Sequence, residues 1–276
     1  MPELPEVETI RGDLDLQLRG ARLESVTVSR RWKSLPHTRF HENRSFERRL
    51  RGTLVERVDR RSKYLLFQLQ PPATLIVHLG MSGQLLLVER SAPRELHTHA
   101  VFRIDRGHEL RFTDPRMFGR LWLVGADEVE QKIGPLGPEP LSAAFTWRVL
   151  ATKFAKKQAP VKAALLDMKV VAGVGNIYSD EALFEAGVHP LRACASLTPD
   201  ELKQLAAHLK SVLRRAVKSR GTTLSDARYA DVFGEYGGHV PKVYGRAGAP
   251  CLQCGTAVVR GVLGNRGYHF CPRCQR

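Results

Sequence analysis

The sequence lacks the features of a membrane-inserted or exported chain. None of its stretches approaches the roughly 18 consecutive apolar residues of a membrane span. Its acidic start has neither the basic region nor the apolar region of a signal peptide. Internal repeats and low-complexity segments are also missing. We therefore expect a cytosolic globular protein that does not associate with membranes.

Cysteine is scarce, with five residues in a chain of 276, and four of the five lie close to the C-terminus. Cys251 and Cys254 form one Cys-x-x-Cys pair, and Cys271 and Cys274 form a second pair after a further 16 residues. Two such pairs can surround Zn²⁺ with a tetrahedron of thiolates, which leaves no open position for water. This spacing predicts one structural zinc ion in a reducing compartment and not a disulfide framework. Cys194 stands alone and is expected to be an inert small residue.

Acidic residues are few relative to basic ones. The chain has 28 Asp and Glu against 43 Lys and Arg, a formal net charge of +15 and a pI near 10.0. Each phosphate neutralised by Lys or Arg releases condensed counterions, so this surplus favours a polyanionic partner. The alternative is a basic surface that only keeps the protein soluble. With 43% hydrophobic residues, the chain is otherwise of ordinary globular composition and long enough for two domains.

The first half of the chain combines one helix with a series of strands. Pro5 suits a first helical turn and Gly20 a stop, so a helix is predicted over 5–19. The apolar residues at helical spacing within it are Val7, Ile10, Leu14 and Leu18. From residue 21 to about 124 the pattern shortens to strand length. The runs are KYLLFQLQ (63–70), TLIVHLG (74–80), AVFRID (100–105), ELRFTD (109–114) and RLWLVG (120–125). They predict an antiparallel β layer or sandwich.

The second half is predominantly helical and ends in a hairpin. The segment IGPLGPEPL (133–141) is rich in proline and glycine and is the predicted linker. In 198–221, Thr198 as N-cap, Pro199 and Glu201 form the start signals of a long helix that ends at Gly221. Between the cysteine pairs, AVVRGVL and YHF predict two strands joined by the turn GNRG, which places Arg266 at the tip. An exposed turn arginine either contacts phosphate or is simply solvated.

These patterns together predict an α+β protein. The expected parts are an N-terminal β domain over 1–132, a linker at 133–144, a helical domain over 145–247 and a zinc finger over 248–276.

Several short motifs occur in a fixed order along the whole chain. They are MPELPEVET, KYLL, HLGMSG, TDPRMFGR, LGPEPL, LLDMKVVAGVGNIYSDEALF, VYGRAGAPC and the four-cysteine tail. In this order the sequence resembles the formamidopyrimidine-DNA glycosylases, bacterial enzymes that remove oxidised purines from DNA. The resemblance implies an antiparallel β-sandwich flanked by helices, a helical domain with a helix–two-turns–helix motif, and a zinc hairpin held by four cysteines. It also implies a monomer that acts on duplex DNA as both glycosylase and abasic-site lyase in base excision repair.

The resemblance assigns the chemistry to four residues. It implies that Met1 is removed and that the amine of Pro2 attacks C1′ of the damaged nucleotide. Glu3 is then the general acid that protonates the deoxyribose ring oxygen. Lys63 assists base release and β-elimination, and Arg266 contacts phosphate and donates the proton in δ-elimination. From the residues alone, any carboxylate before the first helix also suits the helix dipole, so only the motif distinguishes Glu3.

Further residues are implied to bind DNA with the damaged nucleotide extruded from the stack. Met81, Arg116 and Phe118 are the expected void-filling residues, although an isolated Met or Phe is more often part of a core. The other expected DNA contacts are His97, Lys157 and the phosphate-binding Asn176. Met117 stands where the family usually has a basic residue, which puts a phosphate contact there in question.

The chain departs most from the family in the segment 226–243, where a lesion-recognition loop is expected but the usual Pro-Gly step is missing. Two alternatives to the purine-specific enzyme remain open. Endonuclease VIII-like glycosylases act on oxidised pyrimidines, but they usually carry glycine where this chain has Leu4. A zinc-stabilised damaged-DNA-binding protein without activity would need neither an N-terminal proline nor Glu3.

Overall fold

The computed structural model describes residues 1–34, 45–225 and 229–276. These residues form two compact units. The first unit contains Met1–Pro135 together with Arg220–Gly238, and the second contains Leu136–Ser219 together with His239–Arg276. The segment 220–238 therefore groups with the N-terminal unit, although it follows the long helix in sequence. Residues 226–228, the start of the expected lesion-recognition loop, lie outside this description. No helix in the described residues is both long and apolar enough to cross a membrane.

The strands lie mainly in the first half of the chain and the helices mainly in the second, as the sequence predicts. The helices are Leu4–Leu18 (α1), Arg30–Lys33 (α2), Phe46–Leu50 (α3), Val129–Ile133 (α4), Trp147–Phe154 (α5), Val161–Leu166 (α6), Asn176–Glu185 (α7) and Pro199–Lys218 (α8). The strands are Leu23–Val28 (β1), Leu54–Arg61 (β2), Tyr64–Gln70 (β3), Ala73–His78 (β4), Gln84–Glu89 (β5), Thr98–Ile104 (β6), His108–Thr113 (β7), Arg120–Val124 (β8), Val259–Leu263 (β9) and Arg266–Phe270 (β10).

The first unit contains an antiparallel β-sandwich, which confirms the predicted fold class. Strands β1-β6-β7-β5 form one four-stranded sheet, and β2-β3-β4-β8 form the other. Alternate residues of β3 and β4, such as Phe67 and its partner Leu75, face the same core as Phe102 and Phe112 of the opposite sheet. Because side chains alternate across a strand, each sheet contributes one apolar face to this common core.

Helix α1 covers part of this core through one apolar stripe. Val7, Ile10, Leu14 and Leu18 are buried in the core cluster, as their spacing predicts. The carboxylate of Asp15 accepts the backbone N–H of Val58 in β2 at 2.8 Å, which fixes the helix against the sheet.

The second unit is helical and carries the hairpin at its end. Helix α8 begins with the predicted capping box, in which Thr198 Oγ1 accepts Glu201 N–H at 3.3 Å and Glu201 Oε2 accepts Thr198 N–H at 2.8 Å. Helices α6 and α7 are joined by two consecutive turns, as a helix–two-turns–helix motif requires. Strands β9 and β10 pair from Leu263 with Arg266, so the turn itself is Gly264–Asn265. Arg266 is thus the first residue of β10 and is exposed beside the tip.

Leu14 and Leu16 provide a test of how α1 packs. Leu14 is fully buried and Leu16 is 78% exposed on the same helix. Leu14→Ala should lower the free energy of unfolding by about 2–5 kcal/mol, since it removes buried carbons and leaves a cavity. Leu16→Ala should change it by less than about 0.5 kcal/mol. Urea titration followed by circular dichroism measures both, and equal losses would contradict the packing described.

Candidate functional site

The N-terminal residues are fixed by a carboxylate of their own helix. Pro2 is buried and Glu3 is 3% exposed, whereas Met1 is 44% exposed. Glu3 is the extended N-cap residue of α1, and its backbone N–H donates to Glu6 Oε2 at 2.8 Å. The other oxygen, Glu6 Oε1, accepts the backbone N–H of Thr222 at 2.8 Å. Glu6 therefore connects the first residues of the chain to the segment 220–238.

Lys63 lies in the two-residue turn between β2 and β3 and is only 5% exposed. Its neighbour Ser62 adopts a left-handed backbone conformation with φ of 57°. Arg60 connects this turn to α1: its Nε donates to Glu8 Oε2 at 2.7 Å, and its Nη1 donates to the carbonyl of Ser62 at 2.9 Å. The turn that carries Lys63 is therefore tied to the helix that begins at the N-terminus.

His78, at the end of β4, was not recognised from the sequence. Its Nδ1 accepts the backbone N–H of Gly80 at 3.2 Å, and its ring lies 4.9 Å from that of Tyr64. Burial, together with the positive charges of Arg120 and Lys63, lowers its pKa to about 3. The imidazole is therefore neutral at pH 7 and keeps the lone pair that the Gly80 N–H requires.

The three expected void-filling residues are at the surface and not in the core. Met81 is 38% exposed and Phe118 is 37% exposed. Arg116 is exposed as well, and its guanidinium carbon lies 4.9 Å from the centre of the Phe118 ring. The first unit thus presents two apolar side chains and one guanidinium to solvent.

A fully buried aspartate, Asp114, determines the positions of these loops. Its Oδ1 accepts the Ser82 hydroxyl at 2.6 Å and the Arg116 backbone N–H at 3.3 Å. Its Oδ2 accepts the Gly119 N–H at 2.7 Å, and its own N–H donates to the carbonyl of His97 at 3.1 Å. The half-buried His97 is therefore held beside the loops of Met81 and Phe118.

Glycine is required at one contact between these loops. Gly80 has φ of 63°, and a Cβ there would lie 2.5 Å from the carbonyl carbon of Phe118. The glycine of the HLGMSG motif thus allows two backbones to meet.

Met117 has a structural explanation. It adopts a left-handed conformation with φ of 56° and is half-buried against the core of the sandwich. Apolar packing accounts for methionine at a position where the family usually has a basic residue.

In the second unit, Asn176 is the first residue of α7 and faces the zinc hairpin. Its Nδ2 donates to the carbonyl of Gly267 at 3.0 Å and lies 3.4 Å from Tyr244 Oη. The side chain therefore joins the helix–two-turns–helix motif to strand β10. Lys157 is half-exposed after the end of α5, and Arg266 is exposed.

Two buried carboxylates of α7 were also missed by the sequence analysis. Asp180 Oδ1 accepts the ammonium of the fully buried Lys162 at 2.5 Å, and Oδ2 accepts the His269 backbone N–H at 2.9 Å. Glu181 accepts three consecutive backbone N–H groups, those of residues 242–244, at 2.7–2.9 Å. Burial raises the pKa of Glu181 even though these bonds favour the charged form. Two adjacent acidic residues directly before the apolar run 182–184 were the available signal.

The four C-terminal cysteines fit a tetrahedral metal site. Their sulfur atoms all lie within 4.8 Å of one another, with Cys251 Sγ 3.9 Å from Cys274 Sγ and Cys254 Sγ 3.5 Å from Cys271 Sγ. Thiolates around zinc lie about 3.8 Å apart, since each Zn–S bond is about 2.3 Å. The cluster is therefore a structural zinc site, as the spacing predicts. Cys194 is buried elsewhere, and burial raises its pKa to about 11, which keeps it an unreactive thiol.

Three family models match successive parts of the chain. Residues 1–121 match the formamidopyrimidine-DNA glycosylase N-terminal domain, and residues 136–228 match the formamidopyrimidine-DNA glycosylase H2TH domain. Residues 248–276 match the zinc finger found in FPG and IleRS.

Curated proteins and solved structures are similar over the full length. The formamidopyrimidine-DNA glycosylase of Herpetosiphon aurantiacus is 44% identical over 278 residues, with all of both chains covered. The MutM (Fpg) crystal structure from Thermus thermophilus has a TM-score of 0.89 and 41% identity, and the match covers 99% of this chain and 98% of that one. A complex of Lactococcus lactis Fpg with abasic-site DNA has a TM-score of 0.91 and 32% identity, with both chains fully covered.

The neutral state of His78 should be visible in the pH dependence of stability. Its folded pKa of about 3 lies below the ordinary 6.5, so the unfolded chain binds the proton first as the pH falls. Lowering the pH from 7 to 5 should therefore reduce the free energy of unfolding of the wild type by about 2 kcal/mol through this group, since one pKa unit corresponds to about 1.4 kcal/mol. His78→Asn keeps an acceptor for Gly80 but cannot titrate, so it should escape this loss.

Urea midpoints of both proteins at pH 7 and pH 5 measure the effect. If the difference in stability between the two proteins were the same at pH 7 and pH 5, His78 could not have the lowered pKa described.

The zinc assignment is tested by metal content. Atomic emission of dialysed protein should give one zinc per chain for the wild type and substantially less for Cys271→Ser, because three thiolates cannot complete the tetrahedron. Cys194→Ala is the matched control and should retain the full zinc content. A full zinc content in Cys271→Ser would show that this cysteine is not a ligand.

Proposed function

The chain belongs to the formamidopyrimidine-DNA glycosylase family, and on that basis we propose that it excises oxidised purines from duplex DNA and then cleaves the strand at the abasic site. The expected substrates are 8-oxoguanine and ring-opened formamidopyrimidines. The observation that carries the proposal is the arrangement of the first unit, which combines a buried Pro2–Glu3 start with exposed Met81, Arg116 and Phe118. A solved Lactococcus lactis relative, 31% identical, is a complex of Fpg (MutM) with DNA that contains Fapy-dG.

The nucleophile in this proposal is the secondary amine of Pro2, which becomes available when Met1 is removed. The amine attacks C1′, the damaged base leaves with the bonding electrons, and an iminium ion joins the protein to the sugar. Glu3 donates a proton to the ring oxygen as the sugar opens. The Glu6 bond to the Glu3 backbone supports this role, because it fixes the N-cap residue from which the carboxyl group extends.

Strand cleavage then requires proton transfers at the opened sugar. Lys63 is proposed to assist base release and β-elimination, and its buried turn, tied to α1 through Arg60, suits a group that must act beside Pro2. Arg266 is proposed to contact phosphate and to donate the proton in δ-elimination. Its exposed place next to the turn of a short hairpin suits a phosphate contact.

A stacked base cannot reach Pro2, so the nucleotide must leave the helix at an unstacking cost of a few kcal/mol. We assign Met81 and Phe118 as wedges in the vacated space and Arg116 as the group directed to the orphaned partner base. His97 is assigned as a DNA contact next to them, because Asp114 positions its backbone in the same network.

Phosphate binding is assigned to the second unit. The backbone at the start of α7, beginning with Asn176, presents N–H groups at the positive end of a helix dipole. Lys157 adds a half-exposed cation, and the net charge of +15 provides general attraction to the DNA backbone. The domain boundaries predicted from the sequence, action as a monomer and a cytosolic location remain part of this proposal.

The decisive test compares one polypeptide with and without Met1. Protein produced with Met1 retained should give no borohydride-trapped adduct with a duplex containing 8-oxoguanine, because the nitrogen of Pro2 is then an amide. The same protein after treatment with methionine aminopeptidase should form the adduct. DNA affinity should differ by no more than about threefold between the two forms, or less than about 1 kcal/mol.

Trapping with duplexes that carry different lesions distinguishes the purine-specific enzyme from the two alternative functions. An adduct only with oxidised-pyrimidine duplexes would indicate an endonuclease VIII-like enzyme, and tight binding without any adduct would indicate a binding protein. Trapping that is equally strong with Met1 in place would exclude Pro2 as the nucleophile.

A further inference from the structure

Two short loops of the first unit carry the side chains to which the proposed function assigns the vacated space. We call residues 79–83, between β4 and β5, and residues 114–119, between β7 and β8, the wedge loops. In the first, the N–H of the last residue donates to the carbonyl of the first residue at 2.9 Å. In the second, the Met117 N–H donates to the Asp114 carbonyl at 3.1 Å. Each wedge loop is therefore a turn closed by its own backbone.

The side chain of Ser82 bonds the first wedge loop to the second. Its hydroxyl donates to Oδ1 of the fully buried Asp114 at 2.6 Å, and its oxygen accepts the backbone N–H of Arg116 at 3.3 Å. Asp114 in turn accepts the N–H of Gly119, the last residue of its loop, through Oδ2 at 2.7 Å. The two backbones also touch at Gly80. One hydroxyl of the first loop is thus bonded both to the backbone of the second loop and to the carboxylate that holds it.

The joined loops are anchored to the core of the sandwich. The carbonyl of Asp114 accepts the Nε2–H of His99 at 3.0 Å, and the N–H of Asp114 donates to the carbonyl of His97 at 3.1 Å. His99 is 4% exposed, and its ring lies 4.9 Å from that of the fully buried core residue Trp32. Asp114 is therefore held through its main chain as well as through its side chain.

Loops joined in this way can act on DNA without first being ordered. Immobilising a side chain or a loop at an interface costs free energy, and that cost reduces what the contact can contribute. The exposed side chains of Met81, Arg116 and Phe118 stand on a backbone whose order the free protein already supplies. More of their contact energy is then available against the few kcal/mol that unstacking a nucleotide costs.

We propose that the Ser82–Asp114 hydrogen bond joins the wedge loops into one pre-organised unit that favours extrusion of the damaged nucleotide and takes no part in the reaction at C1′. This inference rests on the proposed function. Ser82 and Asp114 are positioning residues, because they act through Met81, Arg116 and Phe118. A weaker bond between the loops should lower the population of the extruded nucleotide and should leave the reaction of an extruded nucleotide unchanged.

Ser82→Ala is the direct test, because it removes only the hydroxyl that joins the loops. Single-turnover release of 8-oxoguanine should be measured with the lesion opposite cytosine and with the lesion in a one-nucleotide bulge that has no partner base. We expect release from the paired site to slow about five- to tenfold, as loss of one hydrogen bond gives. Extrusion from a bulge costs less, so release there should change by less than about twofold.

A spectroscopic measurement separates extrusion from chemistry. A fluorescent adenine analogue placed beside the paired lesion becomes brighter when its stacking is lost, and the gain on protein binding should be smaller for Ser82→Ala than for the wild type. Asp114→Asn, in which an amide group replaces one acceptor oxygen, should change both the fluorescence and the ratio of the two release rates in the same direction. Urea titration verifies that both variants are folded.

Ser142→Ala is the matched control. It removes a hydroxyl that donates to the Glu139 carbonyl at 2.8 Å in the second unit, and it should leave both release rates unchanged. Equal slowing at the paired and the bulged lesion in Ser82→Ala, or unchanged rates at both, would overturn the inference. Failure of the proposed function is distinct from these outcomes, because the wild type would then release no 8-oxoguanine from either duplex.

Discussion

The order of the first residues of the chain depends on one contact, the carboxylate of Glu6. One oxygen accepts the N–H of Glu3 and the other accepts the N–H of Thr222, more than two hundred residues away in sequence. Glu6 is 2% exposed, and removing its carboxylate from water is unfavourable. These charge-assisted hydrogen bonds offset that cost. A chain terminus that would otherwise fray is thereby fixed at its N-cap residue. Glu6 thereby fixes the backbone of the residues to which the proposed function assigns the chemistry.

The same physical solution recurs in three other irregular segments. Asp114 holds the loops of Met81 and Phe118, Asp231 holds residues 233–235, and Glu181 holds residues 242–244. Loop backbones lack the ladder of partners that strands and helices provide, and buried N–H groups must still be bonded. A buried carboxylate can accept several of them at once, which makes a loop rigid without secondary structure. The side chains of Met81 and Phe118 can therefore be exposed on loops whose backbone is fixed.

The N-terminal residues of the first unit and the C-terminal hairpin of the second unit are held in place by different interactions. In the first unit, the N-terminus is held by hydrogen bonds from α1 and by the sandwich beneath it. In the second unit, four thiolates bring the cysteine pairs together and α7 fixes the hairpin through Asp180 and Asn176. A hairpin of two five-residue strands has little core of its own, so it relies on the metal site and on α7.

The sequence by itself determined the elements whose signals are local. The stripe from Val7 to Leu18, the capping box of Thr198 and the two cysteine pairs each lie within a short stretch, and helix periodicity, end capping and metal spacing depend only on near neighbours. The family resemblance added the expected roles of residues such as Pro2 and Lys63. Only the tertiary structure decided which acidic side chains matter. Asp114 and Asp180 look like ordinary surface charges in sequence, because their partners are distant hydroxyl, N–H and ammonium groups that only the folded chain brings together.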